Sequence, residues 1–163
     1  MSANTKEVVY RKATLKDLEE LCRLSKLQQD FHKNYSWYYK FKKNYMKDTK
    51  KFVRKGILSK KEFVMVAQLG NSIGGYIHAS IKPGIPIFVW KNCLWINDIF
   101  VKKSLRGKGV GKSLFNKSID FGLKKGVSFV KLQTDSKNML AENFYKSRGM
   151  ELLDKVWIFK VGK

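Results

Sequence analysis

The run LWINDIFVKKSLRGKGVGKSLF, residues 94–115, constrains the fold of this chain more than any other. It opens with eight residues of strand length, apolar except at Asn97 and Asp98. A basic loop with glycines at Gly107, Gly109 and Gly111 follows. Val110, Leu114, Phe115, Ile119 and Phe121 then give a broad apolar surface at helical spacing as far as Gly126. An apolar strand that passes through such a loop into an amphipathic helix needs a sheet with helices packed on it, which predicts an α/β or α+β domain.

The loop is built to approach an anion. Glycines let bare backbone N–H groups come close to a ligand, and the helix N-terminus adds its dipole. Arg106, Lys108 and Lys112 add charge. Gly111-Lys112-Ser113 fits the end of the nucleotide-hydrolase pattern G-x-x-x-x-G-K-[ST], but the first glycine of that pattern falls on Arg106. Lys102 to Leu105 also separate the strand from the loop, and no apolar strand ending in an aspartate follows. The dinucleotide pattern G-x-G-x-x-G fails because the glycines alternate. What remains suits a pyrophosphate held without a metal ion; the alternative is a glycine-rich turn with solvated lysines.

The rest of the chain reads as further strands and helices. VVYRKA is a first strand, and TLKDLEELCRLSKL is a helix with Thr14 as N-cap and Asp17 in the capping-box position. Leu15, Leu18, Leu21, Cys22 and Leu24 form its apolar stripe. Trp37, Phe41 and Tyr45 recur every four residues, which predicts an amphipathic helix through the lysine-rich stretch that ends near Gly56. Two strands joined at Gly70-Asn71-Ser72 follow, and then a proline loop. VSFVKLQT reads as a strand, NMLAENFYKSRG as a short helix and KVWIFKV as a last strand.

Composition bounds partners and compartment. With 163 residues, 44% of them hydrophobic, the chain has the size and apolar content of one domain with a real core, 1–163. Thirty-four lysines and arginines against 13 acids leave a net charge of +21. That field attracts polyphosphates, nucleic acid and other anions, or reflects a lysine-rich proteome. Cys22 and Cys93 have no metal-ligand spacing and read as buried thiols. The N-terminal stretch is polar, and no apolar run nears the ~20 residues of a membrane helix. A soluble, cytoplasmic protein without a membrane partner is expected.

Two spaced motifs carry a resemblance. Arg106-x-x-Gly109-x-Gly111 is followed about thirty residues later by Asn138-x-x-Ala141-x-x-Phe144-Tyr145-x-x-x-Gly149, with Met150 where phenylalanine is usual. Together they resemble the GCN5-related N-acetyltransferase superfamily, whose opening strand and helix YRKATLKDLEEL also resembles. The resemblance implies a mixed, mostly antiparallel sheet flanked by about four helices. It implies acetyl-CoA as co-substrate and an amine acceptor, with a homodimer admitted and nucleic acid the less favoured partner. Within the superfamily the motifs look most like diamine and polyamine acetyltransferases, although those usually carry an acid where this chain has Asn97.

The same resemblance implies roles for single residues. Arg106, Gly107, Lys108, Gly109, Val110, Gly111 and Lys112 hold the pyrophosphate, and the backbone of Ile99, Phe100 and Val101 pairs with the pantetheine amides as a substitute strand. Asn138 binds the cofactor arm, and the Tyr145 hydroxyl gives a proton to the leaving thiolate. A lysine-like amine, pKa ~10.4, must shed a proton before it attacks. Asp98 is the candidate base, because a carboxylate inside an apolar strand is costly unless it is paired or functional; an ion pair to a lysine is the alternative. His32 and His78 read as packing or surface residues that can relay a proton, and Glu62 reads as solvated. The aromatic and basic stretch 36–55 reads as a buried stripe with snorkelling lysines, or as an RNA-stacking surface. The expected reaction is direct acetyl transfer; a non-catalytic nucleic-acid-binding or acyl-CoA-sensing protein on the same fold is the rival.

Overall fold

The computed structural model describes residues 7–161. They fall in two compact units, Met1–Gln133 and Thr134–Lys163. The first unit carries a five-stranded sheet in the order β1-β2-β3-β4-β5. Its strands are β1 (Val8–Lys12), β2 (Glu62–Leu69), β3 (Ser72–Pro83), β4 (Asn92–Val101) and β5 (Val130–Lys131). The first three pairings are antiparallel and the last is parallel. The first unit also holds α1 (Leu18–His32), α2 (Tyr45–Leu58) and α3 (Val110–Lys124), and the second holds α4 (Met139–Lys146). The expected fold class is therefore observed: an α/β arrangement with a mixed, mostly antiparallel sheet and four α-helices among the described residues.

The sheet of the first unit is covered on both faces. Directly opposed residues of an antiparallel pair share a face, so Val66 and Tyr76 point together, as do Val64 and His78. Val64, Val66 and Tyr76 meet Leu21, Leu24 and Val53 of α1 and α2 in one buried cluster. Phe63 and Ala79 point the other way, and Phe63 stacks on Phe121 of α3 at 5.0 Å. Leu18, Leu21, Cys22 and Leu24 are all buried, as their spacing predicts. Leu15 leaves the stripe: it sits in a 3-10 turn ahead of α1 and is exposed. Thr14 N–H donates to the Asp17 carboxylate at 2.7 Å, which fixes that entry.

Three predicted elements differ. The helix expected from Trp37 begins only at Tyr45, and residues 34–44 form turns and irregular backbone. Trp37 and Tyr38 are exposed, so the aromatic stripe is not buried there. The helix ends at Leu58, near Gly56 as expected, and that glycine lies against the His78 ring: an added Cβ would stand 2.4 Å from Nε2. VSFVKLQT shrinks to the two residues of β5. KVWIFKV forms no strand; residues 151–161 are exposed and have no regular structure. Strand propensity needs a neighbouring edge, and none among the described residues takes this segment.

Cys22 and Cys93 are free and buried, and burial pushes both thiols up. The polar stretch 1–6 lies outside the described residues. No helix among the described residues is long and apolar enough to cross a membrane.

Candidate active site

A register break in β4 sets the direction of Asp98. Ala79 pairs with Ile96, but the next residue of β3, His78, pairs with Asp98, so Asn97 is an extra residue. Such a bulge reverses the alternation of everything beyond it. In a regular strand Asp98 would share the α3 face with Ile96. Here it lands on the α1–α2 face with His78, and Phe100 follows it opposite Tyr76. The bulged Asn97 turns to the same side, where its amide donates to Ser80 Oγ at 3.1 Å.

Asp98 retains some surface but is crowded by protein. Desolvation pushes its carboxyl up to about 7, and a hydrogen bond from Gln28 on α1 pulls the other way. Among the described residues no lysine or arginine pairs with it, so the ion-pair alternative is not realised. Gln28 Oε1 in turn accepts from the Tyr76 hydroxyl at 3.0 Å. A carboxyl poised near neutrality that keeps some exposed surface can accept and release a proton.

His78 lies one pairing step from this cluster and is 1% exposed. Its Nε2 sits 2.7 Å from Glu62 Oε2, and its ring lies 4.6 Å from that of Phe52. Burial pushes the imidazole down, while Glu62 pulls it up. Glu62, its side chain 11% exposed, is thus a mostly buried partner and not the solvated side chain expected. His32 packs against the rings of Tyr35 and Tyr39, at 5.8 and 5.7 Å.

The far half of β4 has an open side. β5 pairs only with Leu94 and Trp95. Beyond them, Ile99, Phe100 and Val101 have β3 on one edge and, among the described residues, no strand on the other. Lys102 N–H then donates to Gly74 O at 2.8 Å, and Leu105 is buried below the loop. Arg106 Nε donates back to Val101 O at 3.0 Å. Gly107 and Gly109 take φ of +73° and +76°, a left-handed conformation that a side chain would strain. No atom lies within 4 Å of where a Cβ would stand on either, so the loop is open above them.

Gly109 O accepts from Ser113 N–H at 3.0 Å and begins α3. The amides of Val110, Gly111 and Lys112 lie in its first turn, where no intrahelical acceptor exists. These N–H groups, the helix dipole and the side chains of Lys108 and Lys112 suit a pyrophosphate. The open strand edge offers amide partners to a linear arm. The residues of this unit therefore fit the cofactor that the motifs imply.

A polar cleft beside the β2–β3 turn is a weaker site, because its charges are paired among themselves. Arg11 holds Asp17 at 2.8 Å, and Glu20 takes both Arg23, at 2.6 Å, and Lys102, at 3.3 Å.

The second unit carries the other expected residues. Asn138 Oδ1 accepts from Ala141 N–H at 3.1 Å and caps α4, which leaves the side-chain N–H groups for a ligand. Tyr145 is half-buried, with its ring 5.2 Å from that of Phe144 in an edge-on contact. The Arg148 guanidinium lies 5.1 Å from the centre of the Phe144 ring. Asp98, the strand edge and the glycine loop belong to the first unit, and Asn138 and Tyr145 to the second. Sequence reasoning missed Gln28, Tyr76 and the His78–Glu62 pair. One signal was present: Tyr76, His78 and Ser80 recur with period two, which places a polar row on one strand face.

Comparison with known proteins bears on the family and the fold. Among the described residues no group of three or more His, Cys, Asp or Glu is placed to hold a metal ion. An uncharacterized N-acetyltransferase of Methanocaldococcus jannaschii is 36% identical over 80 residues, 42% of this chain and 35% of that protein. Another, from Archaeoglobus fulgidus, is 26% identical over 64% of this chain and 70% of its own length. The crystal structure of a mutant Bacillus halodurans protein superposes with TM-score 0.82 at 25% identity, covering 94% of this chain and 99% of that one. A predicted acetyltransferase from Clostridium acetobutylicum, solved with acetyl-CoA, shares the fold: TM-score 0.79, 16% identity, 94% of this chain and 96% of that one. Residues 19–150, well over half the chain, match the acetyltransferase (GNAT) family. The chain belongs to that family.

Proposed function

We propose that the protein is an acetyl-CoA-dependent N-acetyltransferase, a single domain over 1–163 that moves an acetyl group directly to a primary amine. The observation that carries this reading is Asp98, turned by the Asn97 bulge and poised near neutrality on the strand whose open edge leads into the glycine-capped helix. Acetyl-CoA supplies an activated thioester. The chain supplies the rest: the loop from Arg106 to Lys112 binds the pyrophosphate, and the backbone of Ile99, Phe100 and Val101 aligns the pantetheine arm. Asn138 holds that arm through its free side-chain N–H groups. Asp98 takes a proton from the incoming ammonium, directly or through water, and Tyr145 gives one to the departing sulfur.

The acceptor is a polyamine, a small amine or a protein amine. Two features weigh against the polyamine. The usual acid is replaced by Asn97, whose amide is engaged by Ser80, and the +21 charge repels polycations at a distance. A second copy of the chain is a proposed partner, because seven large apolar side chains between Leu152 and Val161 stand exposed without a strand partner among the described residues. A second reading is favoured by Trp37 and Tyr38, exposed among Lys40, Lys42 and Lys43, which offer bases a stacking surface.

Thermal unfolding with ligands, joined to an amine panel, tests the proposal. A ligand that binds only the folded state stabilises it by ~2.7 kcal/mol at a hundredfold excess over Kd. CoA and acetyl-CoA should raise Tm clearly more than Mg-ATP, and acetyl-CoA should be consumed with at least one primary amine. An equal or larger shift with Mg-ATP would overturn the reading of the loop. RNA binding that falls steeply with salt, with no turnover on any amine, would favour the second reading.

A further inference from the structure

Helix α1 presents three polar side chains to the sheet at Ser25, Gln28 and Gln29, spaced so that they share one face. They join β3 and β4 in a single line of hydrogen bonds. Gln29 Nε2–H donates to Ser25 Oγ at 3.2 Å. Ser25, itself buried, is hydrogen-bonded to the Tyr76 phenol, and Tyr76 O–H donates to Gln28 Oε1 at 3.0 Å. Gln28 then reaches the Asp98 carboxyl.

Each link has a direction. Tyr76 has one proton, and it is spent on Gln28 Oε1, so its oxygen is left to accept from Ser25. With Oε1 occupied, Gln28 turns its NH₂ end to Asp98. An NH₂ group can only donate, so it stabilises the carboxylate more than the protonated carboxyl, whose carbonyl oxygen is the weaker acceptor. A flipped amide would present its carbonyl and favour the acid form instead. Tyr76 is 2% exposed, so bulk solvent does not compete at its hydroxyl for the amide.

We propose that Gln28, locked in one amide orientation by Tyr76 and Ser25, is the positioning residue that keeps Asp98 ready to accept a proton. This rests on the reading of Asp98 as the base. Without Gln28, the desolvation that raises the Asp98 carboxyl would act unopposed. The other titratable groups around the carboxyl are Tyr76 and His78 on β3, Glu62 behind His78 on β2, and Cys22 beside Tyr76 on α1. Burial drives the phenol and the thiol up and the imidazole down, so these three are neutral around pH 7.

The test is a ¹³C NMR titration of the Asp98 carboxyl in ligand-free protein, with Asp98→Asn to assign the signal. In Gln28→Leu the midpoint should rise by about one to two pH units, the size of a lost hydrogen bond to a charged group. Tyr76→Phe, which frees the amide to flip, should shift it the same way by less. The acid limb of kcat/KM should move with the titration, so that activity lost at pH 7 returns on the alkaline side, while KM for acetyl-CoA changes less than about twofold. A merely structural role would lower kcat at every pH. An unmoved Asp98 midpoint in both Gln28→Leu and Tyr76→Phe would overturn the inference. A shifted midpoint together with full turnover by Asp98→Asn would support the tuning of Asp98 and sink the base assignment instead.

Discussion

Replacing Gly56 with alanine measures how tightly α2 is seated on the sheet. The new Cβ would stand 2.4 Å from His78 Nε2, 2.6 Å from its Cε1 and 3.1 Å from Glu62 Oε2. The imidazole cannot swing away, because it is 1% exposed, held by Glu62 at 2.7 Å and faced by the Phe52 ring at 4.6 Å. Either α2 lifts from the sheet or the His78–Glu62 bond breaks. Overpacking of this kind costs about 1–3 kcal/mol, and losing the bond costs about 1 kcal/mol more. Alanine gains up to about 1 kcal/mol over glycine in a helix, so the net loss is about 1–3 kcal/mol. Urea unfolding of wild type, Gly56→Ala, His78→Ala and the double variant reads the sign directly. Once the imidazole is gone, Glu62 is free to move and the same alanine should be neutral or stabilising by up to about 1 kcal/mol. Stabilisation of the wild type, or an equal loss in both backgrounds, would refute the contact argument.

The remaining predictions concern charge and catalysis. Asp98→Asn should raise stability by up to about 4 kcal/mol at pH 8, the free energy of the full shift, and by little near pH 4. The folded carboxyl is raised from 3.8 to about 7, so the folded state binds the extra proton, and the stability this contributes is lost as pH rises through that window. Unfolding at the two pH values checks this. Asp17→Asn should cost about 1–2 kcal/mol at pH 7, discounted for the partly exposed Arg11, and little at pH 2. Arg11 holds the Asp17 carboxyl down at about 2, so its contribution is present above about 4 and fades as pH falls toward 2. Tyr145→Phe should lower kcat by a factor on the order of 10²–10⁴ with little change in CoA affinity. Lost stability with unchanged turnover per folded molecule would remove it from the acid's role.

Periodicity and local chemistry made several elements readable from the chain alone. The stripe Leu18, Leu21, Cys22 and Leu24 buries one side of α1 whatever it packs against. The turn at Gly70, with φ of +58°, and the loop at Gly107 and Gly109 need a backbone that glycine adopts most readily. The strand, the loop and the start of α3 therefore stand where their residues place them. The resemblance of two spaced motifs to one superfamily covered most of the remainder, and the family match from 19 to 150 agrees with it.

Pairing was not readable, because it belongs to two segments at once. VSFVKLQT and KVWIFKV alternate equally well, yet β4 accepts only Val130 and Lys131 of the first, and no described strand takes the second. The bulge at Asn97 is a mismatch between β3 and β4, and neither strand shows it alone. That mismatch turns Asp98 toward α1, where Gln28, seventy residues away in sequence, meets it. By itself the sequence determined that a carboxylate would sit in an apolar strand ahead of an anion-binding helix end, because residue type and spacing are local. Only the tertiary structure decided which face the carboxylate takes and which neighbour sets its proton affinity, because register and desolvation depend on what packs against it.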